Sequence, residues 1–354
     1  MNIVHLVYSG IGGAGNICLS LFKEDLKYKK YSSHIIFTGP QFSKIYKKKN
    51  INNRFSFIKT IKYFQFLSWF AIIFKLIKIK PDVIYLHNYQ IVPSIVYCFI
   101  FKKKIIYIDH GALNYKRSRY KLIIQLIKIF RINTVVLNKE NFDYFLKNNI
   151  NKKKIHLIPN GVNHNFFKKN KKKKKKFFIL GMAGRLDYFK RQEILIKVLS
   201  NQRISKLDLK LSFAGDGPKF KLLSKLAKKY NVENKLIFNG FLNDKKLKKW
   251  FNNLDLYVHA SSGEGMSTAI LQAMSMEIPI IASNVYGIKN IFKIYPKIGD
   301  LFNNNNYDEI SKLIYSYYSN KSKLKKQISR KYILKYFTVK KMHKRYINLA
   351  ESII

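Results

Sequence analysis

Glu264-Gly-Met-Ser-Thr-Ala-Ile-Leu-Gln-Ala-Met-Ser-Met276 follows an apolar run, Leu254-Asp-Leu-Tyr-Val-His-Ala260, and a turn, Ser261-Ser-Gly263; a second apolar run, Ile278-Pro-Ile-Ile-Ala-Ser283, comes after it. The order reads as strand, loop, helix, strand. The loop carries a carboxylate, and the helix that follows offers unpaired backbone N–H groups at its N-terminus, a ready site for an anion. A carboxylate beside such a site suits the hydroxyls of a sugar or ribose. Phosphate and polyol together point to a nucleotide or a nucleotide-sugar.

Outward from this stretch the same alternation continues in both directions. Upstream, strands are expected at 177–183, 209–214, 236–239 and 256–260, with helices at 192–199, 220–230 and 244–252. An earlier series places strands at 2–8, 34–38, 82–87, 105–109, 134–138 and 155–158. Helices are expected between them at 14–27, 61–79, 93–101, 119–130 and 139–148. Regular β-α alternation with short loops predicts parallel, doubly wound sheets. The series is interrupted by Lys168-Lys-Asn-Lys-Lys-Lys-Lys-Lys-Lys176, a stretch with no apolar residue that cannot join a core. The expected organisation is therefore a Rossmann-like domain over 1–167, a linker at 168–176 and a second Rossmann-like domain over 177–335. The helical tail from about 336 to 354 returns to the first.

The chain has 354 residues, 47% hydrophobic and 15% aromatic, enough for two cores and unlike a disordered protein. Its 68 Lys and Arg against 19 Asp and Glu give a formal charge of +49. The basic residues are scattered over nearly every segment, as in a Lys-, Asn- and Ile-rich composition attracted to anionic membranes, rather than gathered in one recognition helix. Cys18 and Cys98 both lie in apolar segments and read as buried thiols of a reducing compartment, with neither set at metal-ligand spacing from a His or the other Cys. Met1–Tyr8 reads as a core strand and not as a signal peptide. Tyr63–Ile79, interrupted by Gln65, Lys75 and Lys78, reads as an amphipathic helix, either core-packed or lying on a membrane surface, and not as a span.

Several motifs sit where strands end. Gly10-Ile-Gly-Gly-Ala-Gly15 follows the first strand, where Gly12 and Gly13 allow close backbone approach to a ligand. It lacks the G-x-G-x-x-G order and no acid ends the second strand, which weighs against a dehydrogenase. Gly181-Met-Ala-Gly-Arg185 and Lys190 follow a strand of the second series; the Arg185 fork and the Lys190 point charge suit a diphosphate. Gly215, in Ala214-Gly-Asp-Gly-Pro218, reads first as a turn glycine that also lets backbone approach a ligand. His110, before Gly111 at a strand end, is placed to hydrogen-bond a hydroxyl. Pro159-Asn-Gly161 reads as the turn where the chain crosses between domains.

Taken in order, the glycine loop, His110-Gly111, Pro159-Asn-Gly-Val162, Gly184-Arg185 with Lys190, Gly215-Asp-Gly-Pro218 and Glu264-Gly265 with Pro279 resemble the retaining glycosyltransferases of family 4, of the GT-B fold. The resemblance runs through most of the chain and is strongest over about 160–290. It implies a nucleotide-diphospho-sugar donor on the second domain, an acceptor on the first, and no metal or other cofactor. Arg185 and Lys190 would neutralise the diphosphate. Glu264 would face the transferred sugar, His110 would touch it, and Gly184, Gly215, Gly265, Met266, Ser267 and Thr268 would line the donor site, with Gly12 and Gly13 against donor or acceptor. One position departs from the pattern. The second acid of the family, eight residues after Glu264, is Gln272 here, which retains an acceptor oxygen for the ribose but no charge.

The expected protein is thus a cytoplasmic sugar transferase, peripheral at the inner membrane face. It would build a cell-surface polysaccharide such as lipopolysaccharide or capsule on a glycan or lipid-linked acceptor, with an anionic membrane as a further partner. Two alternatives stay open: a GT-B epimerase or phosphorylase, and a basic nucleic-acid-binding protein, whose binding would be strongly salt-dependent.

Overall fold

The computed structural model describes residues 1–9, 12–39, 54–58, 65–87, 90–111, 118–170, 176–295, 298–320 and 329–354. Gly10 and Ile11 of the glycine loop, residues 61–64 of the expected second helix and residues 171–175 of the Lys run lie outside these.

The chain forms two compact units, Met1–Gly161 with Val339–Ile354, and Val162–Thr338. The first is built on seven parallel strands, β1 (Asn2–Val7), β2 (Ser32–Phe37), β3 (Phe55–Phe57), β4 (Val83–Leu86), β5 (Lys104–Ile108), β6 (Asn133–Val136) and β7 (Ile155–Leu157), in the order β3-β2-β1-β4-β5-β6-β7. Its helices are α1 (Gly13–Asp25), α2 (Gln65–Ile79), α3 (Ile91–Ile100), α4 (Ser118–Ile129) and α5 (Lys139–Lys147). All four residues of β4, Val83-Ile-Tyr-Leu86, are buried, as expected of a central parallel strand covered on both faces. The chain's last helix, α14 (Val339–Ile353), belongs here too. Met342, Tyr346 and Ile347 share a core with Ile17 and Leu21 of α1, and Tyr85 Oη donates to the Tyr346 carbonyl at 3.1 Å.

The second unit repeats the plan with β8 (Phe178–Ala183), β9 (Leu209–Ala214), β10 (Leu236–Phe238), β11 (Leu256–His259), β12 (Ile280–Ser283) and β13 (Gly299–Phe302), ordered β10-β9-β8-β11-β12-β13 and all parallel. Between them run α6 (Gln192–Leu199), α7 (Gln202–Ser205), α8 (Phe220–Lys229), α9 (Asp244–Asn252), α10 (Thr268–Ser275) and α11 (Lys289–Ile294), and after β13 come α12 (Tyr307–Ser319) and α13 (Ser329–Tyr336). In both sheets the winding reverses beside the first strand, at β1/β4 and at β8/β11. Ligands of open α/β sheets bind at such reversals, beyond the carboxyl ends of the strands.

The units part before the Lys run and not within it. Phe167 is buried in the second unit; its carbonyl accepts from Ser275 Oγ at 2.6 Å and Arg330 Nη1 at 3.2 Å. Asn170 N donates to Asn252 Oδ1 at 2.9 Å, so the start of the Lys run also lies on that unit. At the far end, Val162 N donates to Phe337 O at 2.8 Å, which keeps 336–338 with the second unit. The edge strands β3 and β13 and the helix α12 carry no expectation from the sequence. β3 is three residues long, β13 opens on a glycine, and α12 is fixed by its cap, where Asn306 accepts from Glu309 N at 3.0 Å.

Candidate functional site

The loops after β8 and β11 meet at the reversal of the second sheet. The two strands are neighbours in register, Leu256 opposite Leu180 and Tyr257 opposite Gly181, so their ends deliver Lys190 and Glu264 to one place. The β8 loop is shaped by Asp187, whose Oδ1 accepts from Phe189 N at 3.0 Å and Lys190 N at 3.1 Å, an Asx turn that aims Lys190 back toward the sheet. The Phe189 carbonyl ties the two loops together, accepting from Ser262 N at 2.8 Å and Ser261 Oγ at 3.1 Å.

There Lys190 Nζ donates to Glu264 Oε1, and the same oxygen accepts from His259 Nε2 at 3.0 Å. The carboxylate is largely covered and His259 is fully buried. Burial alone would raise the Glu264 pKa; the Lys190 charge and the His259 hydrogen bond overcome it and hold the carboxyl well below its ordinary value. Burial outweighs the neighbouring carboxylate for His259 and lowers its pKa, so the ring is neutral. It donates from Nε2 to Glu264, and Nδ1 accepts from Tyr257 Oη at 3.1 Å. Glu264 is therefore an ionised acceptor whose orientation is fixed by a lysine and by a Tyr-His pair on β11.

His259 and Tyr257 carry no expected role from the sequence. The signal is present: Tyr257 and His259 lie two apart on one strand face, and the strand ends five residues before the acid. What a sequence does not display is that the intervening loop folds back far enough to bring Glu264 against His259.

Around this pair fall other expected donor-site residues and one glycine, Gly287, that carries no expectation from the sequence. Gly287 (φ 74°) supports the loop from behind: a Cβ there would stand 1.7 Å from the Glu264 carbonyl oxygen, and the Tyr286 carbonyl accepts from Glu264 N at 3.1 Å. Gly215 (φ 149°) lies against Gly184, where a Cβ would meet the Gly184 carbonyl oxygen at 1.9 Å, so its first duty is to let the ends of β8 and β9 touch. Ser267 caps α10, its side chain accepting from Ile270 N at 3.4 Å, and Thr268 opens that helix. Gly265 and Met266 are buried before it. Gln272 is buried one turn further along. Arg185 is brought to the same loop but not into the ion pair: it is exposed, its carbonyl accepts from Gln192 Nε2 at 2.9 Å, and its guanidinium forms no ion pair among the described residues.

In the first unit, Gly12 and Gly13 begin α1, and a Cβ on either would meet no atom within 4 Å. His110 follows β5. Its Nε2 lies 2.9 Å from His87 Nδ1, and burial lowers its pKa to about 4. The preceding Asp109 is buried and accepts from Asn141 Nδ2 at 2.6 Å; burial pushes its carboxyl up to about 6. A carboxyl raised on folding stabilises the protein below its unfolded pKa, and that contribution is lost as pH rises through the folded value. Between about pH 4 and pH 6 the wild type should therefore lose roughly 2–3 kcal/mol at this group, at 1.36 kcal/mol per unit. Asp109→Asn should lack this slope, as read from urea midpoints on both sides of the window; an unchanged slope would place the titration elsewhere.

The sequence spacing shows no Cys near a His, yet the fold brings Cys18 beside two. Ligand atoms of His5, Cys18 and His87 lie within 4.8 Å of one another. Both ring nitrogens of His5 and of His87 are already engaged in hydrogen bonds, and burial raises the Cys18 thiol well above its ordinary pKa. The trio is thus set up as a packed thiol beside a hydrogen-bonded histidine pair.

Residues 163–333 match the family Glycosyl transferases group 1. Protein CapJ of Staphylococcus aureus is 43% identical over 30% of this chain and 28% of its own length. An uncharacterized glycosyltransferase of Methanocaldococcus jannaschii is 33% identical over 33% of this chain and 32% of its own. The matched segments thus span about a third or less of these curated relatives. Among solved structures, HepE of Anabaena in complex with UDP and glucose superposes with a TM-score of 0.83 at 18% identity, covering 100% of both chains. The chain has the two parallel-sheet units of GT-B glycosyltransferase structures, and its residues 163–333 match the glycosyl transferases group 1 family.

Proposed function

We propose that the protein transfers a sugar from a nucleotide-diphospho-sugar to a glycan or lipid-linked acceptor, with retention of anomeric configuration and without a metal. The observation that carries this reading is the Glu264 carboxylate. It is held ionised by Lys190 and His259 at the sheet reversal, directly before the N-terminus of α10. A fixed anion there accepts from sugar hydroxyls. Lys190 keeps further N–H donors for a diphosphate, and Arg185, on the same loop, supplies a second cation. The HepE complexes with UDP and with UDP-glucose support a donor of this class. The reading is tested by thermal-shift measurement against nucleoside diphosphates and nucleotide-sugars, with a short oligonucleotide as control. Stabilisation by one nucleoside diphosphate and its sugars supports it. Stabilisation by the oligonucleotide alone, vanishing with salt, would make nucleic-acid binding the function instead.

Arg185→Ala should keep the fold, because the side chain bears no structural bond among the described residues, yet lose ~10²-fold or more in turnover, the usual cost of removing one preorganised cation at a developing charge. Wild-type turnover in the folded variant would remove the diphosphate role.

The acceptor end of the reading rests on the first unit. Ser68, Ile72 and Leu76 form the buried stripe of α2, while Phe66, Phe70 and Phe74 on other faces are exposed, with Lys78 Nζ 4.5 Å from the Phe74 ring. No described helix is long and apolar enough to cross a membrane. An apolar outer face with lysines at its end suits the surface of an anionic bilayer, where phosphate-bearing lipid acceptors are found. Phe70→Ser with Phe74→Ser should weaken co-sedimentation with phosphatidylglycerol vesicles ~10²–10⁴-fold, given about 1.5–3 kcal/mol per buried Phe. Unaltered binding would leave this face without that role.

A further inference from the structure

Asp25, the last residue of α1, is fully buried and accepts three hydrogen bonds. His343 Nε2 approaches Oδ1 at 2.8 Å; Ser33 Oγ at 2.8 Å and His5 Nε2 at 3.1 Å approach Oδ2. Burial would raise the Asp25 pKa, but the bonds from His343 and His5 outweigh it and lower it, so the group is a carboxylate. A carboxylate has no proton to give, and each neighbour must donate. His5 Nε2 therefore carries hydrogen, and on a singly protonated ring Nδ1 is left as an acceptor. That nitrogen lies 3.2 Å from His87 Nε2, which must then donate; His87 Nδ1 becomes the acceptor for His110 Nε2, 2.9 Å away. His87 is fully buried, and burial holds it and His110 in their neutral forms, so each ring has one proton to place. The His5 and His87 ring planes are 28° apart and those of His87 and His110 16° apart, so the rings meet edge to edge, nearly coplanar, with their nitrogens in line.

We propose that Asp25 sets the tautomer of His110 through His5 and His87, so that His110 presents Nδ1 as a bare acceptor at the carboxyl end of β5. Asp25, His5 and His87 are positioning residues. A nitrogen fixed in this way takes a hydrogen bond from a hydroxyl and repels the oxygens of a phosphate or carboxylate. The ligand at His110 is therefore a hydroxyl group; that this hydroxyl belongs to the transferred sugar rests on the sugar-transfer reading above.

The test needs no substrate, so its failure is separable from failure of that reading. In the histidine-¹⁵N-labelled protein at about pH 8, above the ordinary histidine range, long-range ¹H–¹⁵N spectra distinguish Nε2–H from Nδ1–H rings, with His110→Gln assigning its own signals. The expected result is Nε2–H at His5, His87 and His110 alike. A His110 protonated on Nδ1 would overturn the proposal. In His87→Phe, which cuts the chain and leaves Asp25 intact, His110 should change from one tautomer to a mixture. His259, ordered separately by Glu264, should stay Nε2–H and report that the variant is folded. A His110 that remains wholly Nε2–H after the cut would show that its tautomer is set locally, and would equally overturn the proposal.

Discussion

Lys190→Ala is expected to abolish most turnover and to destabilise the protein at the same time. The ion pair is covered but not sealed, with side chains 22% and 15% exposed, so breaking it should cost less than a fully buried pair, about 1–3 kcal/mol. The loss has a pH signature. The Glu264 pKa is lowered in the folded state, so its stabilisation is present above the unfolded value of 4.5 and fades as pH falls below it. The gap between wild type and variant should be widest above that value and narrow in acid. Adding Glu264→Gln to Lys190→Ala removes the stranded charge and should restore much of the stability while leaving turnover down ~10²-fold or more, since the cation proposed to meet the diphosphate is still missing. Urea midpoints and turnover measured on the single and double variants separate the two effects; recovery of turnover in the double variant would refute the assignment of Lys190 to the donor.

The second large effect is expected at Gly287→Ala. A left-handed alanine costs about 1 kcal/mol, and the added Cβ would also stand 1.7 Å from the Glu264 carbonyl oxygen and 3.0 Å from that of Gly265. The loop must move, and the total should reach roughly 2–4 kcal/mol. Gly240→Ala is the matched control: its φ is 61°, close to the 74° of Gly287, but its Cβ would meet nothing within 4 Å. Only the backbone penalty should appear there. If both variants melt together, the contact with the Glu264 loop carries no weight. If Gly287→Ala also loses nucleotide-induced stabilisation and Gly240→Ala keeps it, the glycine is what holds the acid in place.

Much of the parallel architecture was legible because a buried parallel strand is a run of apolar residues closed by a glycine turn, a local signal. Gln192–Leu199, Leu209–Ala214 and Asp244–Asn252 appear at their expected bounds. The acid at 264 and the lysine at 190 were legible for the same reason: they follow strand ends. The partnership between them was not, because it depends on which strands become neighbours, a property of the whole sheet. The same holds for the histidines. His5, His87 and His110 sit on or after three strands well apart in sequence, and only the order β1-β4-β5 lines them up. The Lys run marked the wrong point of separation since a charged surface stretch and a domain linker have the same composition; the packing of Phe167 distinguishes them. The outer face of α2 was half legible, as its apolar residues are evident and their exposure is not.

The return of α14 to the first unit has a consequence for how the protein comes into being. His343 reaches Asp25 across 318 positions of chain. A ribosome releases the first unit's strands before the second unit and its closing helix only after all of it. The second unit is contiguous and can fold as it emerges. The first must wait, with Ile17, Leu21 and Tyr85 lacking their α14 partners, until residues 339–354 are free. The unit whose synthesis begins first is therefore finished after the other, and a nascent chain stalled just short of residue 339 would expose that unfinished core to chaperones beside a second unit already synthesised.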